Sequence, residues 1–270
     1  MPYRKLPEFK SPDSSQVKLW RFMDLPKFLS ILDKKALYFS RLDQLSEFDP
    51  FEGYLPLQNI ELEKITFDKL SAEWKESTGI KNERHFDDWK KGLRTIRYLV
   101  KYHRKVTFVS SWYLKEQESA AMWKLYSSNS AGIAIQSTFQ NFVDSFEAYV
   151  DFDIYVGQIQ YIDFEKETIP VGSLIAPFLY KRKNYEHEDE LRAMIWTPHK
   201  GEVSITNPLE NKYKDDLGIY VPVNLDVLID RIIVGPNAPP WIVELIKSLS
   251  EKFDLMKEII QSDLASIPSY

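Results

Sequence analysis

Two periods of hydrophobic and polar residues run along the chain, and each period predicts a different element. Short apolar segments that alternate with period two predict strands at 19–22, 37–41, 106–112, 132–136, 154–162, 191–196, 218–223, 231–234 and 256–260. Apolar residues spaced by three and four predict helices at 119–126, 138–146, 174–181 and 240–253. Another helix is expected to begin at Asp24, a suitable N-cap, with Pro26 in its first turn. Because these elements lack strict βαβ alternation, we expect an α+β fold with a central, mostly antiparallel sheet and flanking helices.

The pattern also predicts how the chain is divided. Residues 17–270 are expected to form a single domain, since 270 residues allow one large core. Within it, residues 57–105 are highly charged and predict two or three amphipathic helices, which we interpret as a helical insertion or cap. Residues 1–16 are polar and rich in Pro, Ser and Lys, and we expect them to form a flexible N-terminal arm.

One predicted helix of this insertion carries a basic face. Its cations recur at spacings of three and four, opposite an apolar stripe of Leu93, Ile96 and Val100, and they are Lys90, Arg94, Arg97, Lys101 and Arg104. A solvated helix face is the more common explanation of such a pattern. The alternative is a contact surface for nucleic acid or another polyanion.

The residue composition and the missing motifs exclude several kinds of functional site and disfavour several fold classes. The chain has no Cys, which excludes disulfides, thiolate nucleophiles and Cys-ligated zinc. The four His lack zinc-ligand spacing, and we expect no metal site. No phosphate-binding glycine motif or nucleophile elbow occurs, which disfavours Rossmann, P-loop and α/β-hydrolase folds. A net charge of −5 is unusual for a general polyanion binder, although local basic patches remain compatible with it.

Hydropathy also bears on the compartment. No apolar run approaches the roughly 20 residues that span a bilayer, and the N-terminus lacks the apolar stretch of a signal peptide. We therefore expect no membrane partner and a cytoplasmic location.

The most informative polar stretch is acidic and leads into an apolar strand. If the strand includes it, Glu186, Glu188, Glu190 and Arg192 point to one face. Like charges at that spacing raise the pKa of one carboxyl group unless a cation lies among them, and Arg192 is the available cation. If the stretch is helical, Glu188 and Arg192 form an i,i+4 pair. A solvated turn that feeds a buried strand is the structural alternative.

Two further places combine hydroxyl, basic and aromatic side chains. Ser40 and Arg41 end a strand and precede an acidic loop at 46–53, which is a common position for binding residues. An Asx turn at Asp49 explains part of that loop without a ligand. The hydroxyls at 110–111 end another strand, and Met122, Trp123 and Tyr126 follow on a helix. The hydroxyls can hold a ribose or phosphate oxygen and the rings can wall a base, although Met122 and Trp123 are more often core residues.

Taken together, several short motifs resemble the bacterial domain-of-unknown-function family 2971. The likeness runs from Leu19 to Leu264, apart from 57–105, and it rests on 19–22, 37–40, 49–53, 111–112, 122–126, 132–135, 180–181, 188–192 and 232–236. Each motif is weak alone, and their order along the chain is specific. The family itself declares no function.

A more distant resemblance is to ADP-ribosyltransferase-like proteins, which include toxins and phage-defence factors. Their order of an early Arg, a middle hydroxyl strand end and a late Glu-x-Glu is similar to Arg21, Ser110–Ser111 and Glu188–Glu190 here. The chain departs from the pattern, since it has no Ser-Thr-Ser and since aromatic residues flank Arg21. The resemblance implies an ADP-ribosyltransferase-like fold and NAD as a substrate, for ADP-ribosyl transfer or NAD hydrolysis, including a role in phage defence.

The same resemblance implies roles for individual residues. Glu188 or Glu190 would bind the ribose and stabilise its developing positive charge, and Arg21 would hold the phosphates. Ser111 would support the nicotinamide ribose, Trp123 or Tyr126 would stack, and Ser40, Arg41 and Arg192 complete the candidate nucleotide-binding set. This site requires Arg21 and Glu188 on the same side of the core, so their placement on opposite faces would contradict it.

Two rival functions use the same residues differently. The chain can be a non-enzymatic module that binds a nucleotide, or that binds nucleic acid through the basic helix around Arg97. It can also be a metal-dependent nuclease built on Glu186, Glu188 and Glu190, which would need Mg²⁺ or Mn²⁺.

Overall fold

Twelve strands and eight α-helices form in the part of the chain that the computed structural model describes, residues 2–126, 131–170, 173–197 and 215–265. The strands are β1 (Tyr3–Arg4), β2 (Lys18–Asp24), β3 (Ala36–Arg41), β4 (Thr107–Leu114), β5 (Gly132–Thr138), β6 (Ile154–Gln158), β7 (Gln160–Ile162), β8 (Tyr180–Arg182), β9 (Glu190–Trp196), β10 (Gly218–Pro222), β11 (Arg231–Val234) and β12 (Glu258–Gln261). The helices are α1 (Leu25–Lys34), α2 (Leu57–Leu62), α3 (Ala72–Thr78), α4 (Glu83–His103), α5 (Ala120–Tyr126), α6 (Phe139–Asp144), α7 (Leu225–Leu228) and α8 (Pro240–Lys252).

Local sequence signals place most of these elements where they were predicted. The Asp24 carboxylate accepts a hydrogen bond from the Lys27 N–H at 3.0 Å, so it caps α1 as expected. Lys35, in the left-handed conformation, ends that helix. The helix expected over 174–181 is wrong, because a 3₁₀ turn at Ala176–Leu179 leads directly into β8.

Ten of the described strands form one mixed sheet. Its order is β1-β6-β9-β4-β2-β5-β11-β12, and β3 joins β4 to β10. The β1/β6 and β11/β12 pairs are parallel, and the other neighbours in this sheet are antiparallel. β7 and β8 pair separately and are parallel. The α+β class is therefore confirmed.

The two faces of the sheet carry different neighbours. We call the side of β9 that presents Leu191, Ala193 and Ile195 the core face, because these residues join the main core with α1, α6 and α8. We call the opposite side, which presents Glu190 and Arg192, the site face. Toward the far end of β9 the site face is closed by α4 and the 3₁₀ turn at 176–179.

Two strands, β2 and β3, pair with different parts of the same edge of β4. β2 pairs with the end of β4, with Trp20 opposite Tyr113. β3 pairs with its beginning, with Ser40 opposite Val109. Residues 110–112 of β4 lie between these two pairings, and we call this gap the fork.

The charged segment 57–105 forms α2, α3 and α4, as its pattern predicted. The apolar stripe of α4 is buried, with Leu93 and Ile96 packed against Leu55 and Ile169. A separate small cluster joins the three helices and their connections, and it consists of Leu62, Leu70, Ile80 and Phe86. This segment therefore packs on the rest of the chain through α4 and keeps its own small core.

The N-terminal arm is not free, so the expectation of a flexible arm over 1–16 is wrong for its first part. β1 adds to the sheet beside β6, and Lys10 bridges to Gln158. Phe9 is 4% exposed and packs into the core beside Gly157. The sequence signal was weak because two residues of strand and one aromatic ring do not outweigh a polar composition.

Replacing Gly157 by Ala is expected to lower the free energy of unfolding by about 2 kcal/mol, because it displaces a buried ring. An added Cβ would overlap the Phe9 ring and lie 3.0 Å from the Lys10 carbonyl oxygen. Urea denaturation measures the change. In a Phe9→Ala background the same substitution is expected to cost much less, and equal costs in both backgrounds would contradict the docking of Phe9.

Candidate functional site

A buried cluster of five ionised side chains lies on the site face. It contains three carboxylates and two cations, and its members are Glu52, Lys181, Glu188, Glu190 and Arg192. We call these five residues the ion cluster. Each carboxylate has a cationic partner, and three carboxylates against two cations leave the cluster with one net negative charge.

Arg192 is the centre of the ion cluster and is fully buried. It forms a bidentate ion pair with Glu190, with Nε–Oε1 at 2.6 Å and Nη2–Oε2 at 3.1 Å. Its Nη1 donates to Glu52 Oε1 at 2.8 Å and to the Phe178 carbonyl at 2.9 Å. All three guanidinium nitrogens donate to groups of the protein. The predicted role of Arg192 in direct nucleotide binding is therefore disfavoured.

Lys181 supplies the second cation from β8. Its Nζ bonds to Glu188, lies 3.3 Å from Glu190 Oε2 and lies 3.7 Å from Glu52 Oε2. Burial alone would lower its pKa, but the three carboxylates raise that pKa well above the ordinary value. Lys181 is therefore a permanent cation that holds the acids together.

Glu190 is held in its ionised form. Burial raises its pKa, but the charges of Arg192 and Lys181 and the Ser111 hydrogen bond outweigh that effect and lower the pKa to about 2. The side chain is 3% exposed. Arg192, the cation that the sequence offered for these acids, pairs with Glu190, and Lys181 lies among them as well. Glu190 is thus an anchor for Arg192 and is poorly suited to accept a proton.

Glu188 is the acid of the ion cluster that reaches its open edge. Its side chain is 14% exposed, and its Oε1 accepts a hydrogen bond from the Tyr126 hydroxyl at 3.2 Å. Burial and the charge of Glu188 raise the pKa of Tyr126, so the phenol stays protonated. Ser111 is exposed and donates to Glu190 Oε1 at 2.6 Å, and Glu190 is linked to Glu188 through Lys181. Carboxylate and hydroxyl groups therefore converge at one edge.

The backbone at Asp189 separates the two catalytic candidates. Asp189 is left-handed, with φ 35°, and it ends a 3₁₀ helix at Lys183–Glu188. β9 begins only at Glu190, so of the alternatives left open by the sequence, a strand through Glu186 and Glu188 does not form. Asp189 is fixed by the Leu114 N–H, which donates to its carbonyl at 2.9 Å, and by an ion pair with Lys115 at 3.0 Å.

The same geometry corrects the nuclease interpretation. Glu186 is exposed and contributes nothing to the ion cluster, and Lys181 bonds to both Glu188 and Glu190. The position between these carboxylates, where a divalent cation would bind, is thus filled by an ammonium group. Among the described residues, no group of three His, Asp or Glu has a metal-binding arrangement.

The structure separates Arg21 from the ion cluster, which corrects its assignment to the same site. Arg21 lies two residues from both Leu19 and Met23 on β2, so its side chain is on the core face with theirs. Its Nη1 donates to the Ser110 hydroxyl. It also donates to the Ser111 carbonyl and the Tyr38 carbonyl, each at 3.4 Å, so it bridges the fork. Burial lowers its pKa to about 10. The criterion of a shared face fails, and Arg21 acts as a brace.

Two more nucleotide-binding candidates serve the fold. Arg41 is buried and paired with Asp43, with Nε–Oδ1 at 2.7 Å and Nη2–Oδ2 at 3.2 Å. Trp123 is 3% exposed, packs edge-on to Phe22 at 4.9 Å and donates to Glu118 at 2.7 Å. Both are corrected to structural residues. Ser40 lies on β3 between Val109 and Gly218, and the structure does not bring it to the ion cluster.

The predicted basic face of α4 is only partly exposed. Arg104 is buried, with its guanidinium 4.2 Å from the Tyr54 ring centre and bonded to Ser46, so its assignment to a nucleic-acid surface is wrong. Lys90 is turned inward to the Ile65 carbonyl at 3.3 Å. Arg94, Arg97 and Lys101 remain exposed.

Three residues of the site were not selected from the sequence. Lys181 comes shortly after the apolar run at 175–179. A Lys so close to a run that is expected to be buried was a usable sequence signal. Glu52 lay in the acidic loop that was noted but not assigned a role. Tyr161, whose hydroxyl accepts the Glu190 N–H at 2.9 Å, had no distinguishing local pattern.

None of the helices in the described part of the chain is long and apolar enough to cross a membrane. No family model, no curated protein and no solved structure matches this chain.

Proposed function

We propose that the chain is an ADP-ribosyltransferase-like protein that hydrolyses NAD or transfers its ADP-ribose, with Glu188 as the acid that faces the nicotinamide ribose. The observation that carries the proposal is the position of Glu188. It is the carboxylate at the open edge of the ion cluster, and Lys181 and Tyr126 fix both of its oxygens. A pre-oriented carboxylate in a partly dehydrated site is suited to stabilise a positive charge that develops on a sugar.

The chemistry assigns different work to the two acids. When the bond between nicotinamide and C1′ of the ribose breaks, its electron pair leaves with nicotinamide and positive charge develops on the sugar. Glu188 stabilises that charge, while water or an acceptor nucleophile adds to C1′ and releases its proton to the solvent. Glu190 stays ionised and holds Ser111 at 2.6 Å, so the serine hydroxyl is oriented toward the same edge.

The site that the sequence predicted, with Arg21 and Glu188 on one side of the core, is contradicted because Arg21 lies on the core face. We therefore rest the proposal on Glu188 and assign no phosphate-binding role to Arg21. Tyr126 remains the candidate for stacking, since the residue is 42% exposed and its hydroxyl bonds to Glu188. NAD depletion or modification of a bacterial acceptor would fit a toxin or a phage-defence factor.

Glu188→Gln is expected to reduce nicotinamide release by about 100-fold, because it removes the charge that faces the ribose and keeps the shape of the side chain. Purified protein is incubated with NAD, alone and with a bacterial lysate that supplies acceptors, and nicotinamide is quantified. Glu186→Gln is the matched control, since Glu186 is exposed and outside the ion cluster. Release that is absent in the folded wild type, or equal in both variants, would overturn the proposal.

A further inference from the structure

The second half of α4 and the residues just after it have an unusual charge. From Lys90 to Lys105 the chain has seven cations and no acidic residue, whereas the whole chain has a net charge of −5. Cations in the last turn of a helix are explained by the helix dipole. Arg94 and Arg97 lie more than one turn before the end of α4 at His103, so the dipole does not explain them.

The exposed part of this segment is a continuous ridge. Three cations and one aromatic residue recur at spacings of three and four, and we call them the basic ridge, Arg94, Arg97, Tyr98 and Lys101. The Arg94 and Arg97 side chains are 62% and 56% exposed, and Tyr98 is 75% exposed. Glu63 is shared by both arginines, at 3.9 and 3.5 Å. In the described part of the chain, Lys101 has no acidic partner.

From this ridge we infer that α4 is a docking surface for single-stranded nucleic acid. Cations along one helix face match a phosphate backbone, and an exposed ring between them offers a platform for an unpaired base. A duplex hides the faces of its bases, so the ring favours a single strand. An anionic membrane fits less well, because a helix that lies on a bilayer inserts its apolar face, and Leu93, Ile96 and Val100 are buried inside the protein.

The inference is independent of NAD chemistry, because the basic ridge shares no residue with the ion cluster. Loss of nucleic-acid binding with intact nicotinamide release, or the reverse, would therefore separate the two ideas.

The test is a titration of a labelled single-stranded oligonucleotide of mixed sequence at several salt concentrations. We expect binding that weakens with salt, with a log–log slope of about −2 from three cations. Arg97→Gln with Lys101→Gln is expected to weaken binding at low salt by about tenfold or more. Lys247→Gln with Lys252→Gln, at exposed positions of α8, removes the same charge and is expected to bind like the wild type.

Because Arg97 pairs with Glu63, a second variant avoids that pair. Tyr98→Ala with Lys101→Glu changes two exposed side chains and is expected to weaken binding by about tenfold or more through lost stacking and charge. The inference is overturned by absent or salt-independent binding of the wild type, or by equal losses in the ridge and α8 variants. It is also overturned if a duplex of the same sequence or vesicles containing phosphatidylserine bind better than the single strand.

Discussion

Replacing Arg192 by Met is expected to lower the free energy of unfolding by about 3–5 kcal/mol, because it removes one partner of a buried ion network. Glu190 and Glu52 would lose the guanidinium that bonds to them at 2.6 and 2.8 Å. Lys181 would remain as the only cation among three carboxylates. Met is similar in length and apolar, so the change tests lost charge and hydrogen bonds more than lost volume.

Urea denaturation of the variant and of a matched control measures this effect. Arg231→Met is the control, since Arg231 is 41% exposed and lies 3.6 Å from Glu258 on the neighbouring strand. Its loss is expected to cost about 1 kcal/mol or less. Adding Glu190→Gln to Arg192→Met should cost less than the sum of the single changes, because the two groups interact. Equal destabilisation by the two Arg→Met variants would contradict the network.

The sequence predicted those features of the fold and of the site that depend only on residues close together in the chain. Asp24 before Leu25 and Pro26 predicted the cap of α1, and alternation in β9 placed Glu190 and Arg192 on one face. The pairing of these two charges followed from that alternation. The left-handed residue Asp189 interrupted the pattern just before the strand, so Glu186 and Glu188 could not be placed by period alone.

The remaining site depends on contacts between distant parts of the chain. Glu52 meets Arg192 across 140 residues, and no local pattern specifies such a contact. For Arg21 the strand was predicted correctly, but its assignment to the nucleotide site was wrong. Its face follows from the pairing of β2 with β4, which the sequence of β2 does not reveal. The inward turn of Arg104 likewise depends on Tyr54, outside its own helix.

The ionisation of Glu190 should make the protein sensitive to acid in a specific way. Its pKa is about 2 in the folded chain, against an ordinary value of 4.5. Because the folded value is the lower one, the stabilisation is fully present above about pH 4.5 and is lost as the pH falls toward 2. Since one pKa unit corresponds to about 1.4 kcal/mol, a lowering of this kind contributes stability on the order of 3 kcal/mol.

Glu190→Gln isolates this contribution from the other carboxylates. The variant is expected to be less stable than the wild type at neutral pH, and the gap in unfolding free energy should shrink steadily below about pH 4.5. The gap shrinks because protonation makes the wild-type side chain neutral, as the amide already is. Urea denaturation at a series of pH values measures both curves, with Glu186→Gln expected to follow the wild type. A gap that stays constant as the pH falls would show that the carboxylate charge of Glu190 does not stabilise the fold, and the ion cluster would then act through shape and hydrogen bonds alone.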